Sequence, residues 1–253
     1  MSLEPTRSQA GEPTASTDAP PAAMPAEAHL PGWRNVLVVI AHPDDESFGL
    51  GGLVGAFTDR GARVQVLCFT KGEASTLGGD LSDLAVVRTE ELAAAGAALG
   101  TAGTILLDHP DGRLGELVEQ DLVDDVAEAV RQQSPDGILV FDPVGGVTGH
   151  ADHAAASRAA VAVARAHGIP VLGWALPTAV ADALNTEYAA AFVGYADTEL
   201  HISVHVDRAR QQRAIAAHAS QAVPGSVLWR RLELLGDREH LRWVHRPDPS
   251  PSA

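Results

Sequence analysis

Short β-branched runs alternate along this chain with Ala-rich stretches of helical period, and no other feature constrains its fold as much. Val36–Ile40 (VLVVI) is apolar at every position, the pattern of a strand covered on both faces. Glu46–Arg60 then reads as a helix stopped by Gly61. Arg63–Phe69 (RVQVLCF) predicts a second strand, followed by the polar loop TKGEASTLGGDLSD and a helix over Leu84–Leu99 closed by Gly100. Thr104–Leu107 is a third strand, Gly115–Gln133 an amphipathic helix ending before Pro135, and Gly137–Phe141 a fourth strand leading into the loop DPVGGVTGH. Asp152–His167 reads as a helix closed by Gly168, and Pro170–Ala175 as a fifth strand. ELHISVHVD alternates like a strand, and a helix is expected over Arg208–Ala219. Such alternation implies an α/β fold: a Rossmann-like three-layer α/β/α sandwich with a mostly parallel sheet. Ligands in these folds bind beyond the carboxyl ends of the strands.

A chain of 253 residues is enough for one such domain, expected over residues 33–245. Residues 1–32, rich in Pro, Ala, Ser and Thr, lack the basic start and apolar core of a secretory signal and read as a disordered extension. Residues 246–253 read as a flexible tail. A formal net charge of −15 argues against nucleic-acid backbones and anionic membrane surfaces as partners. The single cysteine, Cys68, has no internal disulfide partner, and no apolar stretch reaches about 18 residues. A cytoplasmic protein with no membrane span is expected.

The turn after the first strand, His42-Pro43-Asp44-Asp45-Glu46, crowds three acids at the sheet's ligand-binding edge, where an ordinary strand-to-helix turn requires none. Gly49-Leu50-Gly51-Gly52 invites a dinucleotide site, but Val54 stands where the third glycine belongs, and acids there would repel pyrophosphate. His42 and Asp45, three positions apart around a tight turn, can point to one spot. An imidazole from His150-Ala151-Asp152-His153, after the fourth strand, could complete two histidines and a carboxylate around a divalent cation. Zinc suits three protein ligands with an open position, and ferrous iron can use the same set. A bound water needs a base and a donor for the developing oxyanion. Asp44 is the natural base. One of the two histidines near 150 would ligate while the other faces substrate, with Asp152 fixing its tautomer. The competing reading is an acidic N-cap followed by a solvated helix face.

These residues resemble the signature of the PIG-L/LmbE-like N-acetylglucosaminyl deacetylases, zinc-dependent enzymes that remove acyl groups from N-acetylated amino sugars. The similarity begins with Ala41-His42-Pro43-Asp44-Asp45-Glu46 and continues through Lys71-Gly72-Glu73, Arg88 with Glu90, and HPDGRL at 109–114. It then takes in Gly149-His150-Ala151-Asp152-His153 and Ala217-His218-Ala219-Ser220-Gln221, spanning about residues 34–245. The resemblance implies His42, Asp45 and His153 as zinc ligands, Asp44 as general base, and His150 as acid and oxyanion stabiliser oriented by Asp152. It implies substrate contacts from Arg88, Glu73, Asp111 and His218, and a small-molecule N-acylated amino-sugar substrate. Family members occur as single chains and as rings, so an oligomer is compatible. Two positions depart from the pattern: Thr148 stands where relatives acting on mycothiol precursors carry tyrosine, and Ala151 where proline is common. A metal-dependent sugar receptor without catalysis and a nucleotide-sugar transferase are the rival classes. A second metal pair, His201 with His205 on the alternating strand, competes there with a solvated or subunit-contact face.

Overall fold

β1 (Asn35–Ile40) is buried from Val36 onward because it lies inside a sheet whose two faces are both covered. Its side chains divide by parity, as a pleated strand requires. Val36, Val38 and Ile40 enter one hydrophobic layer, while Leu37 and Val39 enter the other. At about 1.5–3 kcal/mol per fully buried aliphatic side chain, this strand is a firm base for the polar turn that follows it. The computed structural model describes residues 29–77 and 83–247. The expected N-terminal extension lies outside these residues as far as residue 28, and the tail from residue 248. Leu30, just inside the described range, packs in the core at 6% exposure.

After β1 come α1 (Asp45–Phe48), α2 (Gly51–Asp59), β2 (Arg63–Thr70), α3 (Leu84–Leu99) and β3 (Gly103–His109). A 3-10 turn at Leu114–Glu116 leads to α4 (Glu119–Gln133), β4 (Gly137–Phe141), α5 (Ala151–His167), β5 (Val171–Pro177) and α6 (Thr178–Tyr188). The chain then forms β6 (Gly194–Tyr195), β7 (Ile202–His205), α7 (Arg208–Ala217), α8 (Val227–Leu235) and β8 (Arg238–His245). The sheet runs β3-β2-β1-β4-β5-β8-β7, with β6 paired to β5. β1 to β6 pair in parallel, and β8 and β7 extend the sheet antiparallel. Leu53, Phe57, Leu92 and Leu99 of α2 and α3 cover one face; Leu122, Val126, Ala156 and Ala160 of α4 and α5 cover the other. The three-layer α/β/α expectation holds.

The direction of strand order reverses between β1 and β4, which is where a doubly wound sheet opens a crevice. The turn after β1 carries His42, and the loop after β4 carries His150. The topology therefore brings the two motifs together.

Three local expectations differ. The single helix over Glu46–Arg60 is broken at Gly49, whose backbone lies so close to the Phe141 ring that a Cβ would collide with it. The helix at Gly115–Gln133 starts at Glu119, and α6, α8 and β8 add to the elements that the sequence pattern predicts. Among the described residues His201 and His205 belong to no cluster of three or more side chains that could hold a metal ion. His205 is engaged by Asp237 at 3.0 Å and Arg238 at 2.8 Å, and His201 Nδ1 accepts the Trp243 N–H.

Candidate metal and active site

The turn leaving β1 is held open by an unusual backbone. Asp44 takes φ 117°, a left-handed conformation rare for any residue with a Cβ. The N–H groups of Ala41 and His42 both donate to Asp45 Oδ2, at 3.2 and 2.9 Å, so the carboxylate folds back over the strand end. Asp45 and His42 consequently face the same point.

His153, one turn into α5, completes that point. Its Nε2 lies 3.1 Å from Asp45 Oδ1 and 3.2 Å from His42 Nδ1, and His42 Nδ1 is 3.5 Å from Asp45 Oδ2. Donors bound at 2.0–2.1 Å around a tetrahedral zinc lie about 3.3 Å apart, so the spacing matches such a site. The outer nitrogens of both rings are already used. His42 Nε2–H points at Asp111 Oδ1 (3.1 Å) and Asp152 Oδ2 (3.3 Å). Thr148 Oγ1, which donates to the Gly146 carbonyl at 3.4 Å, accepts from His153 Nδ1–H at 2.8 Å. Both inner nitrogens are thereby left with lone pairs aimed at each other and at a carboxylate. Without a cation that arrangement is repulsive; with one it is a ligand set whose outer partners fix each imidazole. His42, His150 and His153 also offer nitrogens within 4.8 Å of one another, as do His42, Asp111 and Asp152 with their own donors.

The metal-free electrostatics carry the same signature. Burial would depress the His42 imidazolium, yet hydrogen bonds to Asp111, Asp152 and Asp45 hold its pKa well above the ordinary value. Burial opposes ionisation of Asp45, but His153 and His42 pull its pKa well below the usual range. A positive charge is wanted at this spot, and protons supply it when a metal does not.

Asp44 lines the same cavity as His42, Asp45 and His153. Its Oδ2 lies 3.0 Å from Arg88 Nη2, and the same guanidinium donates to the carbonyls of Gly72 and Pro43. Burial raises the Asp44 pKa to about 6 despite the Arg88 charge. Arg88 is 3% exposed, and it pairs with Asp44 rather than with Glu90 or Glu91. His150, the N-cap of α5, accepts the Asp152 N–H at its Nδ1 (3.2 Å). Its proton therefore sits on Nε2 in the neutral form. Burial, then the neighbouring His42 and His153, lowers its pKa and favours that form.

Several sequence-based assignments need revision. The Asp152 carboxylate does not orient His150; it accepts from His42 Nε2 and from the N–H groups of Gly112 and Leu114. Asp111 lines the cavity but also holds His42, as well as the Ala74 N–H. Glu73 is exposed and accepts the Asp111 N–H at 3.0 Å, shaping the loop rather than the cavity wall. His218 does not reach the cavity at all: it is fully buried, 2.7 Å from Glu46. Unforeseen wall residues are Phe141, packed on the His153 ring at 4.7 Å between centroids, and Arg231, stacked over Trp174 at 4.9 Å. Phe141 ends an apolar strand and Arg231 lies on α8, outside the predicted elements, so neither carries a chemical signal in the sequence. The cavity measures about 670 Å³, room for more than a small ion and its water.

Fold and site together give an open cradle of two histidines and a carboxylate that could hold a metal ion at the sheet's switch point, with a buried carboxylate beside it. Residues 37–164 match the family described as GlcNAc-PI de-N-acetylase (PIG-L), and this chain belongs to that family. A probable N-acetyl-alpha-D-glucosaminyl L-malate deacetylase 2 of Bacillus cereus is 35% identical, with the match covering 74% of this chain and 84% of that one. The N,N'-diacetylchitobiose deacetylase of Pyrococcus horikoshii has the same fold, at a TM-score of 0.62, 22% identity, and coverage of 83% and 84%. So does the conserved protein TT1542 of Thermus thermophilus, at a TM-score of 0.64, 23% identity, and coverage of 87% and 98%.

Proposed function

We propose that this protein is a metal-dependent amidohydrolase that removes the N-acetyl, or a related acyl, group from a small amino-sugar conjugate. The observation that carries this reading is the convergence of His42 Nδ1, His153 Nε2 and the Asp45 carboxylate within 3.5 Å, with the other nitrogen of each ring held by an outer partner. Zinc fits two imidazoles, one carboxylate and an open position, and ferrous iron is the alternative occupant. Held there, the cation would polarise the amide carbonyl and acidify water. Asp44 takes the proton of the attacking water as its oxygen adds to the carbonyl carbon. His150 presents Nε2–H to the oxygen as it becomes negative. The C–N bond then breaks, and the amine leaves with the proton returned from Asp44, giving acetate and a free amino sugar. Arg88 restrains the Asp44 carboxylate, so the base meets the water in one orientation. Among the described residues no helix is long and apolar enough to cross a membrane, and the buried free thiol of Cys68 agrees with a reducing, cytoplasmic setting.

The test is metal analysis of the purified protein combined with an acetate-release screen across N-acetylglucosamine conjugates. Metal-loaded protein that binds such conjugates and releases no acetate would make it a receptor rather than an enzyme. The Thr148 contact supplies a second check. Thr148→Val removes the acceptor for His153 Nδ1–H without changing bulk, and metal affinity should weaken about 10- to 100-fold by competitive chelation.

A further inference from the structure

Glu46 and His218 lie outside the cavity, yet both are completely buried and their contact spans the fold, from the first motif to the end of α7. Burying an acid and an imidazole at 0% exposure is costly unless the two are paired. Glu46 Oε1 accepts from His218 Nε2 at 2.7 Å and from Ser47 Oγ at 2.6 Å. Its other oxygen, Oε2, accepts the backbone N–H of Asp44 at 3.0 Å. That N–H belongs to the residue whose φ of 117° the backbone would not choose, a conformation rare for any residue with a Cβ. Gln211 of α7 adds a grip on the same turn by donating to the carbonyl of Ser47 at 2.9 Å.

We infer that the Glu46–His218 pair is a positioning device for the base. It clamps the Asp44 backbone in its left-handed conformation, so that the carboxylate of Asp44 projects into the cavity while that of Asp45, the next residue, turns to the metal. The geometry explains why two adjacent aspartates can serve different masters. In a regular turn, consecutive side chains would be set by backbone preference; here the N–H of the first is pinned from outside. Arg88 fixes the far end of the same residue, so Asp44 is held at both its main chain and its carboxylate. The clamp's second half comes from His218, beyond the stretch 37–164 that carries the family match. Neither residue touches substrate; both act through Asp44, and the inference rests on reading Asp44 as the base.

The experiment compares metal-loaded Glu46→Ala, His218→Ala, Glu46→Gln and His218→Gln proteins in acetate release from N-acetylglucosamine conjugates. The two alanine variants should lose about 10- to 100-fold in kcat, the penalty of a misplaced catalytic group, with KM and bound metal within about twofold of the parent. The glutamine variants keep a hydrogen-bonding group at each position and should recover most of the rate. Unchanged kcat in folded His218→Ala protein overturns the inference, as does a rate loss that only parallels loss of metal. Glu46→Gln as impaired as Glu46→Ala overturns it too. Should the parent release no acetate, the proposed reaction fails separately, and the crystal structure of His218→Ala decides: Asp44 still at positive φ refutes the clamp, and relaxation to negative φ supports it.

Discussion

Asp44→Asn should lower kcat by roughly 10²- to 10⁴-fold while a full complement of metal stays bound, because the substitution removes the proton acceptor, and the charge that faces Arg88, without touching the proposed ligands. The amide keeps the shape of the carboxylate and, like aspartate, tolerates left-handed backbone better than most side chains. The proposed ligands are untouched: Asp45 is fixed by its own hydrogen bonds from Ala41 and His42, and His153 by Thr148. Metal content by mass spectrometry and acetate release by a coupled assay measure the two halves. Full activity in the metal-loaded variant would remove the mechanism. The pH profile adds a signed expectation. Asp44 must be ionised to act, and in the metal-free protein burial, partly offset by Arg88, places its pKa at about 6. A cation beside it favours the carboxylate and moves that value down. Activity should therefore rise as pH rises through a limb lying at or below about 6, and a limb well above it would assign the titration to another group.

Where the local pattern and the tertiary environment agree, the chain is readable from its residues alone. β4 and α3 fall at the expected boundaries, because Gly137–Phe141 is uniformly apolar and buried and Leu84–Leu99 is closed by a left-handed Gly100. The meeting of the two motifs is readable for the same reason, since His42 and Asp45 follow a strand end and His150 and His153 stand at a helix start; which of the two imidazoles would ligate was implied by the family resemblance, not by the local pattern. What could not be read depends on distant partners. β8 hides behind charge: Glu239 looks like a solvent-facing residue, but it is 1% exposed, accepts the Trp174 Nε1–H at 2.8 Å and pairs with Arg208. His218 looks like a substrate contact by its motif, and only the fold shows it bonded to Glu46. Asp152 stands two residues from His150 in sequence, yet its carboxylate serves His42, which a linear reading cannot reveal.

Stripping the metal should lower the melting temperature by roughly 5–10 °C at neutral pH, the scale expected when a ligand present at about 100 times its Kd is withdrawn from a domain of this size. The physical reason lies in the cradle. Removing the cation leaves two lone pairs and a carboxylate converging within 3.5 Å, and protons must fill the gap. That substitution makes the loss depend on pH in a definite direction. The raised pKa of His42 in the metal-free fold means protonation there contributes stability that is complete below about 6.5 and is lost as pH rises through the folded value. The metal-free protein thus recovers stability in acid, where protons also compete with the metal for the same nitrogens. The gap between metal-loaded and metal-free melting temperatures should widen from pH 6 to pH 8 and close below pH 6. His153→Ala should abolish the gap at every pH, because it removes one of the three side chains proposed to hold the metal. A melting temperature indifferent to chelator across that range would show that the three side chains hold no metal.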